Sequence, residues 1–362
     1  MEVTQILHMN GGLGETSYAN NSLIARKVIS MSTQMIEESV TELYKSMVPK
    51  TMCIADLGSS AGPNTLFAAS EVVRTVGKLR QKLEHRAALD FQIYLNDLPG
   101  NDFNSLFRVF LPRFQSELRR EMPPGSGQCF VYGAPGSFYG RLFAAKSLHF
   151  VHSSTSLMWL SKVPAGVGLN KENICVSSTS PKTVINAYYK QFQGDFSTFL
   201  RCRSEEVVGG GRMVLSMLGR KSEEASSQDG CYIWELLAMA IKEMVSQGLI
   251  EENKLHTFHI PYFTPSPAEV AAEVEKEGSF ALNAVEVSEI SWAACSNSPL
   301  HSENAWHMAS CLRSVAEPLL VEQFGEVLID ELFENYRKIL SHRMSVEDNK
   351  FVNVSVSMTR RD

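Results

Sequence analysis

A chain of 362 residues with 44% hydrophobic and 20% charged residues has the composition of a soluble globular protein with a large core. A net charge of −6, with no dense Lys/Arg cluster interleaved with aromatics, excludes nucleic acid as the main partner. No uncharged apolar run approaches the roughly 20 residues that span a bilayer, so no membrane association is expected.

Apolar positions at helical spacing (Leu23, Ile24, Val28, Ile29, Met35, Ile36, Val40, Leu43) predict a helix over 22–48. A candidate strand, Met52–Leu57, then runs into Asp56-Leu57-Gly58-Ser59-Ser60-Ala61-Gly62-Pro63-Asn64. Two glycines bracketing a tight turn let a nucleotide-like ligand approach the backbone closely, because a Cβ there would block it or forbid the turn. The spacing is Gly-x-x-x-Gly, without the third glycine of a dinucleotide site or the Lys-Ser/Thr of a phosphate loop. It favours S-adenosylmethionine, with a plain strand-turn-helix as the alternative.

A helix over 64–84 and a strand over Phe91–Leu95 follow, ending at Asn96-Asp97-Leu98-Pro99. An Asp at the end of such a strand can accept hydrogen bonds from both ribose hydroxyls of an adenosine. Asp102, by contrast, reads as the cap of a helix over 102–121. After the strand Cys129–Tyr132 comes Gly133-Ala134-Pro135-Gly136-Ser137-Phe138-Tyr139-Gly140-Arg141. This loop either wraps an adenine, with Phe138 on its face and Ser137 donating a hydrogen bond, or is an ordinary Gly/Pro loop. The strand Leu148–His152 leads to Met158-Trp159. That pair suits a core, but a buried indole N–H needs a partner and a substrate oxygen would serve.

A helix over 183–206, a strand over Met213–Leu218 and an alternating strand over Lys350–Met358, at or near a sheet edge, complete a mostly parallel α/β sheet. Helical patterns over 231–249, 267–278 and 304–342 exceed what is needed to cover it and predict a cap over its carboxyl edge. The Ser/Asn-rich stretch 293–303 is the expected mobile insertion. The boundaries expected are a core of 1–220 and 280–362, with cap elements at about 221–279 and 300–345. Met1-Glu2-Val3-Thr4-Gln5 lacks the basic and apolar regions of a signal peptide, and seven scattered cysteines form no Cys-x-x-Cys pair. Free thiols in a reducing cytoplasm are expected. His256 and His259 lack a third ligand nearby in sequence, so zinc is not expected.

Several long strings, in order, resemble the plant SABATH methyltransferases, which act on salicylate, benzoate, jasmonate and xanthines. They are Glu15-Thr16-Ser17-Tyr18-Ala19-Asn20-Asn21-Ser22, the Asp-Leu-Gly turn, Leu95-Asn96-Asp97-Leu98-Pro99-Gly100-Asn101-Asp102-Phe103-Asn104, and Pro135-Gly136-Ser137-Phe138-Tyr139-Gly140-Arg141-Leu142-Phe143. His152-Ser153-Ser154 and Phe324-Gly325-Glu326 add to them. Tyr188-Tyr189-Lys190-Gln191-Phe192 and Ala316-Glu317-Pro318-Leu319-Leu320 look most like the salicylate/benzoate branch. The resemblance implies a Rossmann-like sheet with an α-helical cap, usually a homodimer, methylating a small carboxylic acid. It places the donor S-adenosylmethionine against Tyr18, Ser22, Gly58, Ser59, Asn64, Asp97, Leu98, Ser137 and Phe138.

The acceptor pocket it implies departs from the salicylate pattern. Asn10 stands where a Lys is usual, Ala25 where a Gln holds the carboxylate, and Thr155 and Phe263 where two Tyr are usual, while Leu312 replaces a Met. Met158, Trp159, Leu218, Ile233, Trp234, Val315 and Phe351 are retained. An acid bulkier than, or shaped differently from, salicylate is therefore expected, a jasmonate-like acid or a keto or amino acid from alkaloid synthesis, with Trp159 as the main orienting donor and Tyr18 beside it. Asn170 and Phe258 are all that matches a magnesium motif of some relatives, so no magnesium is expected. Two rivals are a xanthine-type N-methyltransferase on the same fold and a binding protein that no longer methylates.

Overall fold

The computed structural model describes residues 3–85, 87–121, 127–296, 298 and 300–362. Its centre is one seven-stranded sheet of β1 (Thr51–Leu57), β2 (Asp90–Asp97), β3 (Cys129–Pro135), β4 (Leu148–Ser154), β5 (Val207–Gly219), β6 (Phe280–Ser291) and β7 (Lys350–Arg360). The order is β3-β2-β1-β4-β5-β7-β6, with β1 to β5 parallel and β7 antiparallel to both its neighbours. The inner strands are apolar runs because helices bury both faces, as Ile54, Ala55, Leu57, Phe150 and Val151 illustrate. Strand order reverses between β1 and β4, so a crevice opens beyond their carboxyl ends. The α/β sheet and the helical cap expected from the sequence are both present.

Local differences from expectation have local causes. The helix expected over 22–48 is two helices, Leu23–Met31 and Thr33–Ser46, broken at Ser32. The helix over 102–121 begins at Phe103–Ser105, widens into a π turn at Leu106–Phe110 and becomes α-helical from Leu111. Pro112 explains this: it has no N–H for the carbonyl four residues earlier, and its ring would strike that carbonyl in an α-helix. The helix over 304–342 is also two, His301–Phe324 and Ile329–Val346, separated at Gly325 with φ of +90°. Strand β6, with its alternating Val285-Glu286-Val287, is a seventh strand beyond those expected; it takes the sheet edge and leaves β7 one place inside. The expected mobile insertion instead contains a 3-10 turn, Trp292–Cys295, with both end residues buried; Asn297 and Pro299 lie outside the described residues, as do Met1 and Glu2.

The helices outside the parallel strands start and stop on clear local signals. Helix Pro267–Glu277 starts with a capping box, Ser266 with Glu269, and Pro at its first position, and stops at Gly278 with φ of +81°. Helix His301–Phe324 carries Pro318 in its interior. Without an N–H at 318, the carbonyl of Ser314 has no helical partner, and it accepts the Asn10 N–H at 2.8 Å. The segment before Tyr18 is thereby strapped to the cap helix, with the Asn10 side chain donating to Glu317 at 2.6 Å.

Candidate active site

The crevice forms one continuous cavity with two ends. At the first, Gly58 takes φ of +76° and Ser60 φ of +55°, turning the chain after β1 so that its backbone wraps the cavity. A Cβ on Gly58 would collide with Ser156 and lie 3.5 Å from the Phe138 ring, so only glycine leaves this cradle open. Asn96 ties the turn to the neighbouring loop: its carbonyl accepts the N–H groups of Gly58 (2.9 Å) and Ser59 (2.8 Å), and its side chain donates to Ala134 and Gly136 (2.7 and 2.9 Å). The Asp97 carboxylate accepts from the backbone of Ser60 at 2.6 Å and Leu98 at 2.7 Å. Each oxygen keeps lone-pair capacity toward the cavity. Burial pushes the Asp97 pKa up to about 6 despite those two donors.

The Asp56 side chain faces the other way. It accepts from Thr65, and His152 Nδ1 lies at 2.5 Å, so it clamps β1 to β4 and to the following helix. The loop carrying Ser137 and Phe138 is held from below by a fully buried pair. Arg203 donates to the carbonyls of Phe138 (2.8 Å) and Gly140 (2.7 Å) and to Glu206 (2.7 Å), and Glu206 accepts from Leu142 N–H at 2.6 Å. Such a pair costs desolvation, and its return here is a fixed loop conformation.

At the second end the walls are apolar and aromatic. Trp159, Trp234 and Tyr262 form a mutually edge-to-face cluster with ring centroids 5.1 to 6.0 Å apart. Ala25, Met158, Leu218, Ile233, Leu312, Val315 and Phe351 line the rest. Thr155 sits there with φ of +52°, its N–H donated to Ser216 at 2.8 Å, a strained backbone of the kind found at functional sites. Tyr18 reaches in from the strap and lines the cavity together with Thr155. Burial, reinforced by Cys311 and Asp97, raises the Tyr18 pKa, so the phenol stays protonated. Among the described residues no Lys or Arg lines the cavity.

Most residues expected from the sequence meet on this one surface: Tyr18, Ser22, Gly58, Asp97, Leu98, Ser137 and Phe138 at the first end, and ten of the twelve acceptor candidates at the second. Four do not. Ser59 lies behind the turn, and Asn64 donates to Ser22 at 3.0 Å, supporting a lining residue rather than lining the cavity itself. Asn10 spends its amide on Glu317 and the carbonyl of Thr16. Phe263 faces the opposite side, against Phe192 and Tyr189 at 5.3 and 5.8 Å, and Tyr262 occupies the cavity wall instead. Ser60, Ser156, Met308 and Cys311 line the cavity beyond the expected residues. Met308, Cys311, Leu312 and Val315 share helical spacing on one cap face, a signal present in the sequence but shared with any buried helix. Asn170 Oδ1 accepts from Ser180 at 2.8 Å and has Asn173 at 3.3 Å, which satisfies the one polar group kept from the magnesium motif. Among the described residues no three metal-ligating side chains cluster.

The residues at the first end fit the adenosyl part of a methyl donor: an acceptor carboxylate at a strand end, an aromatic face, a glycine cradle, and a buried Ser60 hydroxyl without a partner among the described residues. The sheet order and this site define an S-adenosylmethionine-dependent methyltransferase. A profile described as SAM dependent carboxyl methyltransferase matches residues 4–361. The chain belongs to that family, the SABATH methyltransferases, and is an enzyme of the methyltransferase class that uses S-adenosylmethionine. It is 52% identical to salicylate carboxymethyltransferase of Clarkia breweri, covering 100% of this chain and 99% of that one. It is 42% identical to jasmonate O-methyltransferase of Arabidopsis thaliana over 99% of this chain and 100% of the other. A solved loganic acid methyltransferase with SAH superposes with a TM-score of 0.84 at 31% identity, covering 98% and 99% of the two chains. The profile's carboxyl description and the names of these relatives do not favour the xanthine alternative, and membership of the methyltransferase class removes the non-catalytic rival. Among the described residues no helix is long and apolar enough to cross a membrane.

Proposed function

We propose that the protein methylates the carboxylate of a small acid bulkier than salicylate, with Trp159 orienting the acid and Tyr18 closing the cavity above it. The observation that carries this is the continuity of the cavity from Asp97 and Phe138 to an uncharged aromatic chamber. Ala25, Thr155 and Leu312 on that chamber's wall support the extra volume. Relatives named for salicylate and for jasmonate both support a small acid as the acceptor.

An acid with a pKa near 4 is ionised about a thousandfold at neutral pH, so its oxygen attacks without a base. Tyr18, held protonated, has no proton to take and acts as a donor. When bound, the donor supplies an electrophilic sulfonium methyl. What the chain's own residues contribute is position and dryness: Trp159 lines the cavity and its N–H has no partner among the described residues, and the strap shuts out water. Gly58, Asp97, Leu98, Ser137 and Phe138 are the proposed donor contacts, with Ser59 and Asn64 behind them. The core of 1–220 and 280–362 and the two cap stretches are proposed as the domain boundaries. A cytoplasmic homodimer belongs to the same reading. Exposed Leu13, Leu23 and Trp306 support the dimer, lying on the strap, the next helix and the cap helix packed near them.

The test is transfer from labelled S-adenosylmethionine to a panel of acids and xanthines, followed by alkali. Label released as methanol is the expected result and identifies an ester. Label that survives alkali would mark an N-methyl product and overturn the reading.

A further inference from the structure

We propose that Tyr262 donates a hydrogen bond to the acceptor's carboxylate and, with Trp159, forms a two-point neutral clamp on it. The inference rests on the functional reading above. Trp159 and Tyr262 face one another across an isolated antiparallel bridge, flanked by Leu160 N–H to Pro261 carbonyl at 2.7 Å and Phe263 N–H to Met158 carbonyl at 2.9 Å. Residues opposed in this way project to the same side with their Cβ atoms about 5 Å apart. Their rings are 5.1 Å apart at 83°, and both line the cavity. Phe263, one residue on, is turned to the other face by the same alternation.

Both side chains are more than nine-tenths buried, and neither the indole N–H nor the phenol O–H has a hydrogen-bond partner among the described residues. Burial holds the Tyr262 phenol far above its ordinary pKa, so it offers a proton and does not compete as an anion. The need for a second donor is chemical. A carboxylate taken out of water is costly unless paired or well hydrogen-bonded, and no Lys or Arg among the described residues lines this cavity. Ala25, on the same wall, has no donor to give. Two donors on one oxygen or split between both leave a lone pair for attack on the methyl, because the carboxylate has about four acceptor sites.

The test is Tyr262→Phe, read in two ways. Calorimetry on the complex with S-adenosylhomocysteine compares an acid that the enzyme methylates with the alcohol that carries –CH₂OH in place of its carboxyl. Steady-state rates then compare acids with and without a second oxygen on the ring. The expected result is a loss of about 10- to 100-fold in acid affinity and in kcat/KM for every acid, with alcohol binding, S-adenosylhomocysteine binding and thermal stability unchanged. Equal losses for acid and alcohol would mean that the phenol only packs, and would overturn the proposal. So would a loss confined to acids with a second oxygen, since Tyr262 would then read that oxygen, and so would no loss at all. If no acid in the panel is methylated, the functional reading falls. Binding of the same acids to the S-adenosylhomocysteine complex would still decide Tyr262, because it needs no turnover.

Discussion

Asp97 shows how one side chain joins the fold to the cavity wall. Its carboxylate is half satisfied by the backbone of Ser60 and Leu98 and carries a pKa of about 6 through burial. Ligand hydroxyls donate to the ionised form, so a bound ligand lowers that pKa and binding releases a proton below it. S-adenosylhomocysteine affinity is therefore expected to rise with pH up to about 6 and then level off. Calorimetry from about pH 5 to about pH 8 checks this. Asp97→Asn should bind weakly at every pH, without that inflection. Trp159 belongs to the other half of the site. Trp159→Phe keeps the ring's volume and removes the N–H, so turnover should fall about 10- to 100-fold while S-adenosylhomocysteine binding is unchanged. An unchanged rate would remove Trp159 from the acceptor's contacts.

At the scale of elements, the strap over the cavity depends on a defect in a helix. Pro318 frees the Ser314 carbonyl, and Asn10 N–H takes it, while Glu317 holds the Asn10 side chain and ion-pairs with Arg313 at 3.0 Å. Pro318→Ala returns an N–H to the helix, which then competes for the Ser314 carbonyl. The strap should loosen, giving a KM for the acid about 2- to 10-fold higher and faster amide exchange over residues 8–18, measured by mass spectrometry. The helix itself should gain stability. Unaltered exchange over the strap would show that the Glu317 contact alone is sufficient. None of this was legible from periodicity, because a proline inside an apolar helical pattern says where a hydrogen bond is lost but not which segment collects it. The same holds for Arg203 and Glu206: two charges on a helix facing the sheet read as solvated residues until the loop at Phe138 is packed over them.

Across the whole molecule, the sheet is asymmetric in what its two ends expose. Strand β3 leaves Phe130 and Tyr132 partly open at one edge, and β6 places Glu286 between its two valines and Glu289 just beyond them at the other, where charge discourages edge pairing. Association is thus expected through the helical and strap surface rather than by joining sheets. Sedimentation should return about twice the 40.3 kDa chain mass, and Trp306→Glu should shift it toward the monomer. A wild-type chain sedimenting as a monomer would overturn the dimer.

The sequence by itself determined which turns line the Gly58–Asp97 end of the cavity and the alternation of strands and helices around it. Those contacts come from turns in which six to ten consecutive residues supply backbone, glycine and acid together, so their geometry is local and their order along the chain is their order in space. The acceptor half was decided only by tertiary structure. Its wall draws on the strap, the Trp159 segment, the ends of β5 and β7 and three cap segments, and which face each residue presents is set by register between segments distant in the chain. Tyr262 and Phe263 are the plainest case. Both are aromatic, buried and adjacent, and a single backbone bridge to Trp159 turns the phenol to the cavity wall and the phenyl to the core.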